Sequence, residues 1–145
     1  MSAISGELQG ARVLDLFSGS GALGIEALSR GAAHVTFVET NSAVVAILRK
    51  NLLSLGVPEA GCRVVRKDAF IALDRLGKDF DVALADPPYQ GGFAVRLAER
   101  FRADPFATWL CLEHTARERI DADPFRERRY GDTVLTFLRA PDDQS

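Results

Sequence analysis

The alternation of short apolar runs with longer helical segments constrains the fold of this chain more than any other feature. The runs "RVLDLF", "HVTFVE", "CRVVRK", "FDVALAD" and "TWLCLEH" predict strands. The segments between them, "GALGIEALSRGA", "SAVVAILRKNLLSLG", "AFIALDRL" and "GFAVRLAERF", predict helices. This order is typical of a parallel sheet wound on both faces by helices. We therefore expect an α/β fold with a mostly parallel, doubly wound, Rossmann-like sheet.

Two details refine that expectation. The segment "FRERRYGDTVLTFLR" has two extended runs around the turn signal "YGD", which predicts an antiparallel hairpin at the end of the sheet. In the second helix, one apolar face is predicted to pack on the sheet, with Arg49, Lys50 and Asn51 facing away. The residues of that face are Val44, Ile47, Leu48, Leu52 and Leu55.

Length and composition predict one globular domain over residues 1–145. The chain has 145 residues, of which 47% are apolar and 26% charged, and both values are ordinary for a globular protein. No apolar window approaches the ~20 residues of a membrane span, and the first residues do not resemble a secretory signal. A cytoplasmic protein is therefore expected. The net charge of −2 indicates that any contact with nucleic acid is local.

Cysteine and histidine do not predict a metal site. Cys62 and Cys111 lie in apolar runs without a Cys or His at metal-ligand spacing. We expect both to be buried, reduced thiols, and no bound metal. His34 and His114 are isolated from each other, and we expect both to be structural, like Trp109 in its apolar strand.

The glycine-rich stretch "GSGALG" after the first strand matches the dinucleotide fingerprint G-x-G-x-x-G. Gly19 and Gly21 would let a cofactor approach the backbone closely, and Glu39 ends the second strand, where an acid can accept hydrogen bonds from ribose hydroxyls. Because NAD and S-adenosylmethionine both carry such a ribose, these residues predict an adenosine cofactor without naming it.

Asp15 favours the methyl donor over NAD. A carboxylate before the glycines would repel a pyrophosphate, whereas it suits an amino-acid tail with an ammonium group and a positive sulfonium. Asp68 follows the third strand, where the adenine would lie. It can contact the adenine amino group, and capping of the next helix is an equally good interpretation.

The tetrapeptide "DPPY" closes the fourth strand at the edge where open α/β sheets bind ligands. The Asp86 carboxylate and the Pro87 carbonyl can accept the two hydrogens of an exocyclic amine, which turns the nitrogen lone pair toward a methyl donor. Pro87 and Pro88 hold the acceptors rigid, and Tyr89 can stack on a base. These four residues predict the catalytic site of an amine methyltransferase.

With "VLDLFSGSGALGIEALSRGA", "FVE", "DPPY" and "RRYGDTVLTFL", the sequence resembles the RsmD family of 16S rRNA guanine-N2 methyltransferases from Val13 to Arg139. The resemblance implies S-adenosylmethionine as cofactor and S-adenosylhomocysteine as product. It places one set of residues at the cofactor and Asp86, Pro87, Pro88 and Tyr89 at the target guanine. The cofactor set is Asp15, Phe17, Gly19 and Gly21 on the methionine side, Glu39 at the ribose, and Asp68 and Ala69 at the adenine.

Members of that family also carry an N-terminal segment with a basic hairpin, for which "MSAISGELQGA" leaves no room. We therefore expect this chain to bind the donor, to methylate poorly, and to act on 16S rRNA within an assembled or assembling 30S particle as a monomer. The late arginines alternate with acids, which predicts a solvated hairpin face rather than an RNA patch. They are Arg117, Arg119, Arg126, Arg128 and Arg129, and the acids are Glu118, Asp121, Asp123 and Glu127.

Three other functions fit parts of the sequence. An adenine-N6 methyltransferase on DNA or RNA would use the same "DPPY" loop, and only the family resemblance separates it from the guanine-N2 activity. An NAD-dependent oxidoreductase rests on "GSGALG" alone, without an accompanying Tyr-Lys or His-Asp set. A non-catalytic adenosyl-binding core agrees with the short N-terminus.

Overall fold

A computed structural model of the chain describes residues 5–120 and 126–141. Seven strands in these ranges form one sheet in the order β3-β2-β1-β4-β5-β7-β6. Strands β1 to β5 are parallel to one another, whereas β7 is antiparallel to β5 and β6 is antiparallel to β7. The expected α/β sheet with its terminal antiparallel hairpin is confirmed. The strands are β1 Arg12–Leu16, β2 His34–Val38, β3 Cys62–Val65, β4 Phe80–Ala85, β5 Ala107–Thr115, β6 Arg126–Tyr130 and β7 Thr133–Arg139.

The helices agree with the sequence pattern except for two short elements. Four helices lie where they are predicted, with boundaries shifted by a few residues: α2 Ala22–Ser29, α3 Ser42–Ser54, α4 Ala69–Arg75 and α5 Phe93–Ala103. The sequence pattern predicts neither α1, Ser5–Leu8, nor the 3-10 turn Glu59–Gly61. Both are too short to show a helical period.

The order of the strands determines where a ligand can bind. From β1 the chain builds β2 and β3 on one side and then crosses to β4 on the other side of β1. Such a switch point opens a crevice at the carboxyl ends of the two central strands. The loops that follow β1 and β4 contain the glycine-rich stretch and the "DPPY" tetrapeptide, so the fold brings the two motifs together.

Each face of the sheet carries its own apolar cluster. One cluster joins the sheet to α4 and α5 and includes Leu73 and Phe101. The other joins it to α1, α2 and α3 and includes Leu8 and Leu48. Gly24 permits the close approach of α2, because a Cβ there would overlap Phe37 and would lie 2.9 Å from Asp15 Oδ2. This is the role of the third glycine in the fingerprint.

The predicted face of α3 is partly wrong. Val45, Leu48 and Leu52 are its buried residues, whereas Ile47 is 53% exposed and Leu55 is 63% exposed. A helix on the surface of a sheet buries a stripe roughly 100° wide, and Ile47 falls outside the stripe of the buried residues. Leu55 is the C-cap residue, just past the end of the helix. Asn51 does not face away either: its Nδ2 donates a hydrogen bond to Ser20 O at 3.0 Å, which ties α3 to the glycine-rich loop.

The cysteines and His114 were expected to be structural. Both cysteines are free thiols; Cys111 is buried, but Cys62 is only half-buried because it begins the edge strand β3. Burial raises the pKa of Cys111 to about 12. His114 is buried, and its Nε2 lies 2.7 Å from Thr136 Oγ1 on β7. In residues 5–120 and 126–141, no helix is long and apolar enough to cross a membrane.

Candidate active site

The glycine-rich loop after β1 folds back onto the end of β2. The backbone N and the Oγ of Ser18 both donate to Val38 O, at 3.0 and 3.1 Å, and Gly21 N donates to Ser18 O at 2.8 Å. Phe17, Gly19 and Gly21 have φ values of +55°, +54° and +91°. Glycine adopts such left-handed conformations without the strain of a side chain. The loop is therefore a tight turn fixed at the switch point.

Glu39 lies directly after β2 and holds this loop. Its Oε1 accepts a hydrogen bond from Gly19 N at 3.0 Å, and its Oε2 accepts one from Asn41 N at 2.9 Å. A carboxylate oxygen can accept more than one hydrogen bond, so both oxygens retain capacity for a ligand. The sequence predicted an acid here to accept ribose hydroxyls, and the geometry fits that role.

Asp15 lies beneath the loop and is only 1% exposed. Its Oδ2 accepts a hydrogen bond from Gly24 N at 3.0 Å, and its Oδ1 has no partner among the described residues. Burial raises the pKa of Asp15 to about 8 against the lowering effect of the Gly24 bond, and the charges of Asp86 and Glu39 raise it further. Asp15 thus stands behind the binding crevice, and a contact with the cofactor stays a prediction.

Asp68 begins α4 in the way that one of the two interpretations predicted. Its Oδ2 accepts hydrogen bonds from Phe70 N at 3.0 Å and from Ile71 N at 3.2 Å, which caps the helix. The same side chain also lines the cavity described below. Ala69 is buried behind it. Asp68 thus caps α4 and also borders the cavity in which a ligand could bind.

The "DPPY" loop projects from the carboxyl end of β4. Pro87 is buried, while Asp86 and Pro88 are exposed and Tyr89 is 50% exposed. Gly91 and Gly92, at φ +94° and +70°, then turn the chain into α5. The buried proline anchors a loop whose polar and aromatic groups face outward. This is the arrangement that a stacked base with an exocyclic amine would require.

One cavity of about 580 Å³ joins the two motifs. It lies at the carboxyl edge of the sheet, and its volume falls in the range of small-ligand sites. Of the predicted site residues, Asp15, Gly19, Gly21 and Ala69 do not line it. The lining residues are Phe17, Glu39, Thr40, Asp68, Asp86, Pro87, Pro88, Tyr89 and Phe93.

An aromatic cluster that the sequence analysis missed closes one side of the cavity. The ring centroids of Phe17 and Phe93 are 5.7 Å apart, and those of Phe70 and Phe93 are 6.4 Å apart. The Arg96 guanidinium lies 4.0 Å from the centre of the Phe70 ring. The signal that could have identified Phe93 is its place directly after the two glycines that follow "DPPY".

Glu113 is a second missed residue. It follows Leu112, the register partner of Ala85, so that Glu113 on β5 stands beside Asp86 at the end of β4. Burial raises the pKa of Glu113 to about 7, and a hydrogen bond with Asp86 and the charge of that carboxylate raise it in the same direction. No signal in the sequence links these two distant residues, because strand register decides the pairing.

Comparison with known proteins identifies the family of this chain. The chain matches the family described as conserved hypothetical protein 95 over residues 1–139. It belongs to this family. Among residues 5–120 and 126–141, no three His, Cys, Asp or Glu side chains come together as a metal-binding group. The family match covers the glycine-rich loop, the acids that follow β2 and β3, and the "DPPY" loop.

Curated relatives of this family member have names that concern ribosomal RNA. The ribosomal RNA small subunit methyltransferase D of Escherichia coli strain K12 is 45% identical over 82 residues, which cover 57% of this chain and 40% of that protein. The protein of the same name from Haemophilus influenzae is 40% identical over 83 residues, which cover 56% of this chain and 43% of that protein. The alignments span less than half the length of both relatives. The resemblance to the RsmD family is confirmed.

Solved structures show the same fold. A conserved hypothetical protein of Streptococcus pyogenes has a TM-score of 0.79 at 28% identity, covering 92% of this chain and 88% of that one. A hypothetical protein of Thermus thermophilus has a TM-score of 0.78 at 29% identity, covering 90% and 75%. An RNA methyltransferase of Salinibacter ruber in complex with S-adenosyl-L-homocysteine has a TM-score of 0.75 at 14% identity, covering 100% and 95%. This last likeness is one of fold.

Proposed function

We propose that this chain binds S-adenosylmethionine at the carboxyl edge of the sheet and transfers its methyl group to the exocyclic N2 amine of a guanine in 16S ribosomal RNA. One observation carries the proposal: the Glu39 carboxylate and residues 86–89 line a single cavity, next to the glycine-rich loop. A cofactor with a ribose and an amine to be methylated would therefore meet there. Residues 1–145 would form one methyltransferase domain, acting as a monomer in the cytoplasm.

The residues around the cavity fit this cofactor better than a dinucleotide. Glu39, Asp68 and Asp86 line the cavity. A set of carboxyl groups attracts a sulfonium and an ammonium, and it repels a pyrophosphate. The two oxygens of Glu39 would accept the ribose hydroxyls, and Asp68 with Ala69 would border the adenine. The methionine end would lie against Asp15, Phe17, Gly19 and Gly21.

The loop of residues 86–89 would bind the guanine amine that accepts the methyl group. The Asp86 carboxylate and the Pro87 carbonyl oxygen would accept the two hydrogens of the guanine amine, and Tyr89 would stack on the base. Both acceptors withdraw the nitrogen lone pair from conjugation with the ring. When bound, S-adenosylmethionine supplies an electrophilic methyl group on its positive sulfur. The amine loses its proton only after it has gained the methyl group, so the loop orients the lone pair without a general base.

The names of the curated relatives support ribosomal RNA of the small subunit as the substrate. A guanine in a folded RNA must leave its stack to reach a loop of this kind. Because the net charge of the chain is −2, its overall charge does not favour a polyanion. We therefore propose that an assembled or assembling 30S particle presents the target base, and that this chain alone binds the donor but methylates slowly.

Calorimetry and methyl transfer together test this proposal. Titration with S-adenosylhomocysteine and with NAD should show binding of the first alone. Incubation with labelled donor and undermodified 30S particles, followed by digestion and mass spectrometry, should yield N2-methylguanosine. Asp86→Ala should leave affinity for S-adenosylhomocysteine nearly unchanged and lower the transfer rate by at least ~10²-fold, as for the loss of one preorganised polar group at a reacting centre.

Each other result would contradict a particular part of the proposal. NAD binding would contradict the cofactor assignment, and transfer to duplex DNA alone would contradict the substrate. N6-methyladenosine as the product would show that the loop accepts adenine instead. Donor binding without transfer to any particle would describe a non-catalytic adenosyl-binding core.

A further inference from the structure

The edge strand β6 is exposed over its whole length, and its side chains divide by charge. All five residues of Arg126–Tyr130 are exposed. Successive residues of a strand point to opposite faces of the sheet. Arg126, Arg128 and Tyr130 therefore share one face, and Glu127 and Arg129 share the other. Glu127, which lies between these arginines in the sequence, is therefore on the opposite face in the structure.

Arg128 shares one face of the sheet with Asp86, a residue of the candidate site. In antiparallel register Arg128 lies opposite Leu135 on β7, and Leu135 lies opposite Glu113 on β5. Glu113 in turn stands beside Asp86 at the end of β4. Paired residues in neighbouring strands point to the same side of a sheet. One row of side chains thus runs from Asp86 across β5 and β7 to Arg128, over three strand spacings or roughly 15 Å.

On this face the described residues of β5, β6 and β7 also present cations and aromatic rings. Tyr130 is 59% exposed. The Arg139 guanidinium lies 5.5 Å from the centre of the Trp109 ring, and the two residues are register partners on this same face. Neither β6 nor β7 places an Asp or Glu on it, because the strand acid Glu127 points the other way. Arginine with exposed aromatic rings is the chemistry that binds single-stranded nucleic acid.

We propose that Arg126, Arg128 and Tyr130 form the surface that holds the RNA strand flanking the methylated base. The proposal rests on the function proposed above. The two guanidinium groups would bind phosphates on the strand, and the Tyr130 ring would stack on an unpaired base. The nucleotides between this surface and residues 86–89 would span the roughly 15 Å from Arg128 to Asp86. The RNA would be bound through its backbone and by stacking. This surface would therefore determine the affinity for the RNA and the direction of the bound strand, but not which bases are recognised.

Direct binding of RNA to the chain tests this surface. The probe is a fluorescein-labelled, single-stranded RNA of about 12 nucleotides, within the site sizes of single-strand binders, measured by anisotropy across a range of KCl concentrations. Arg126→Ala/Arg128→Ala should weaken binding at low salt by about tenfold or more. It should also make the slope of log K against log salt shallower by about 1.4, since each phosphate contact contributes ~0.7. Tyr130→Ala should weaken binding by about tenfold, and Tyr130→Phe should stay within about twofold, because stacking requires only the ring.

A matched control separates this surface from general charge. Arg49→Ala/Lys50→Ala removes the same two charges from α3, where both side chains are exposed, and its affinity and salt slope should stay close to those of the wild type. The proposal is wrong if the wild type does not bind the RNA, if Arg126→Ala/Arg128→Ala binds like the wild type, or if both double variants lose affinity equally.

Affinity for S-adenosylhomocysteine, measured on the same samples, distinguishes the two proposals. All four variants should retain the wild-type value, because none of the altered residues lines the cavity. Absence of that affinity in the wild type would contradict the proposed function. Loss of S-adenosylhomocysteine affinity in Arg126→Ala/Arg128→Ala would show that the substitutions disturb more than the hairpin face, and it would contradict the proposed RNA-binding surface.

Discussion

Glu113 on β5 stands beside Asp86, which directly follows the neighbouring parallel strand β4. Besides burial, a hydrogen bond with Asp86 and the charge of that carboxylate help to raise the pKa of Glu113. Burial is the largest cause that raises the pKa of Glu113 to about 7. Below that pH the protonated Glu113 can donate a hydrogen bond to the Asp86 carboxylate. Above it two adjacent carboxylates repel each other. The proposed amine acceptor is therefore held by a partner that titrates near neutral pH.

Glu113→Gln should remove one step from the pH dependence of methyl transfer. In the wild type, ionisation of Glu113 above about pH 7 should remove a charge-assisted hydrogen bond to Asp86 and lower kcat by roughly tenfold, the equivalent of ~1.4 kcal/mol. The glutamine amide donates at every pH, so this variant should keep its rate as pH rises. Measurement of kcat at saturating donor from about pH 5.5 to about pH 9, on both sides of that pKa, compares the two. Identical profiles would show that Glu113 does not act on Asp86.

Tyr89→Ala should lower kcat/KM for the RNA substrate by about tenfold, and Tyr89→Phe should have little effect. Tyr89 is half-exposed beside Asp86, and stacking on a base contributes ~1–3 kcal/mol through the ring rather than the hydroxyl. Steady-state rates with undermodified 30S particles measure the difference. A loss of equal size in both variants would instead indicate that the hydroxyl is the functional group.

Glu39→Ala should weaken S-adenosylhomocysteine binding by ~1.5–3 kcal/mol, the range for hydrogen bonds to a charged group. The variant loses both the proposed ribose acceptor and the bond from Gly19 N that holds the loop. The control is Glu59→Ala, which removes the same charge at an exposed turn and should bind like the wild type. Calorimetry measures both variants. Unchanged affinity in Glu39→Ala would contradict the ribose assignment.

Asp15 should make the protein less stable as the pH rises. Its pKa is raised by burial from 3.8 to about 8, so the folded state keeps a proton that the unfolded state loses between these values. The free energy of unfolding then decreases with pH across this window. Relative to Asp15→Asn, the wild type should lose at least ~1 kcal/mol between about pH 5 and about pH 8.5.

Urea denaturation at both pH values measures this difference for Asp15. The comparison with Asp15→Asn is needed because Glu113, with a pKa raised to about 7, changes stability in the same direction in both proteins. Parallel pH dependences of the two proteins would show that Asp15 is already ionised in the folded state.

Local patterns in the sequence were enough to predict the order of the elements and the ends of the strands that carry the motifs. Strand and helix periods are local properties of the chain, and the glycines and prolines mark where each strand ends. Glu39 and residues 86–89 could therefore be placed at one edge of a parallel sheet. The two interpretations of Asp68 were also local, and the structure shows the cap directly.

Which residues meet across the sheet depends on packing between distant segments and could not be predicted from local patterns. The face of α3 depends on how the helix lies on its neighbours, so Ile47 was assigned wrongly. The pairing of Asp86 with Glu113 depends on the register of β4 and β5. The separation of Arg128 from Glu127 follows from the alternation of a strand, but the face that each occupies is fixed by the pairing of β6 with β7. Register between distant segments is set by packing of the whole sheet, and a one-residue shift would move every side chain to the other face.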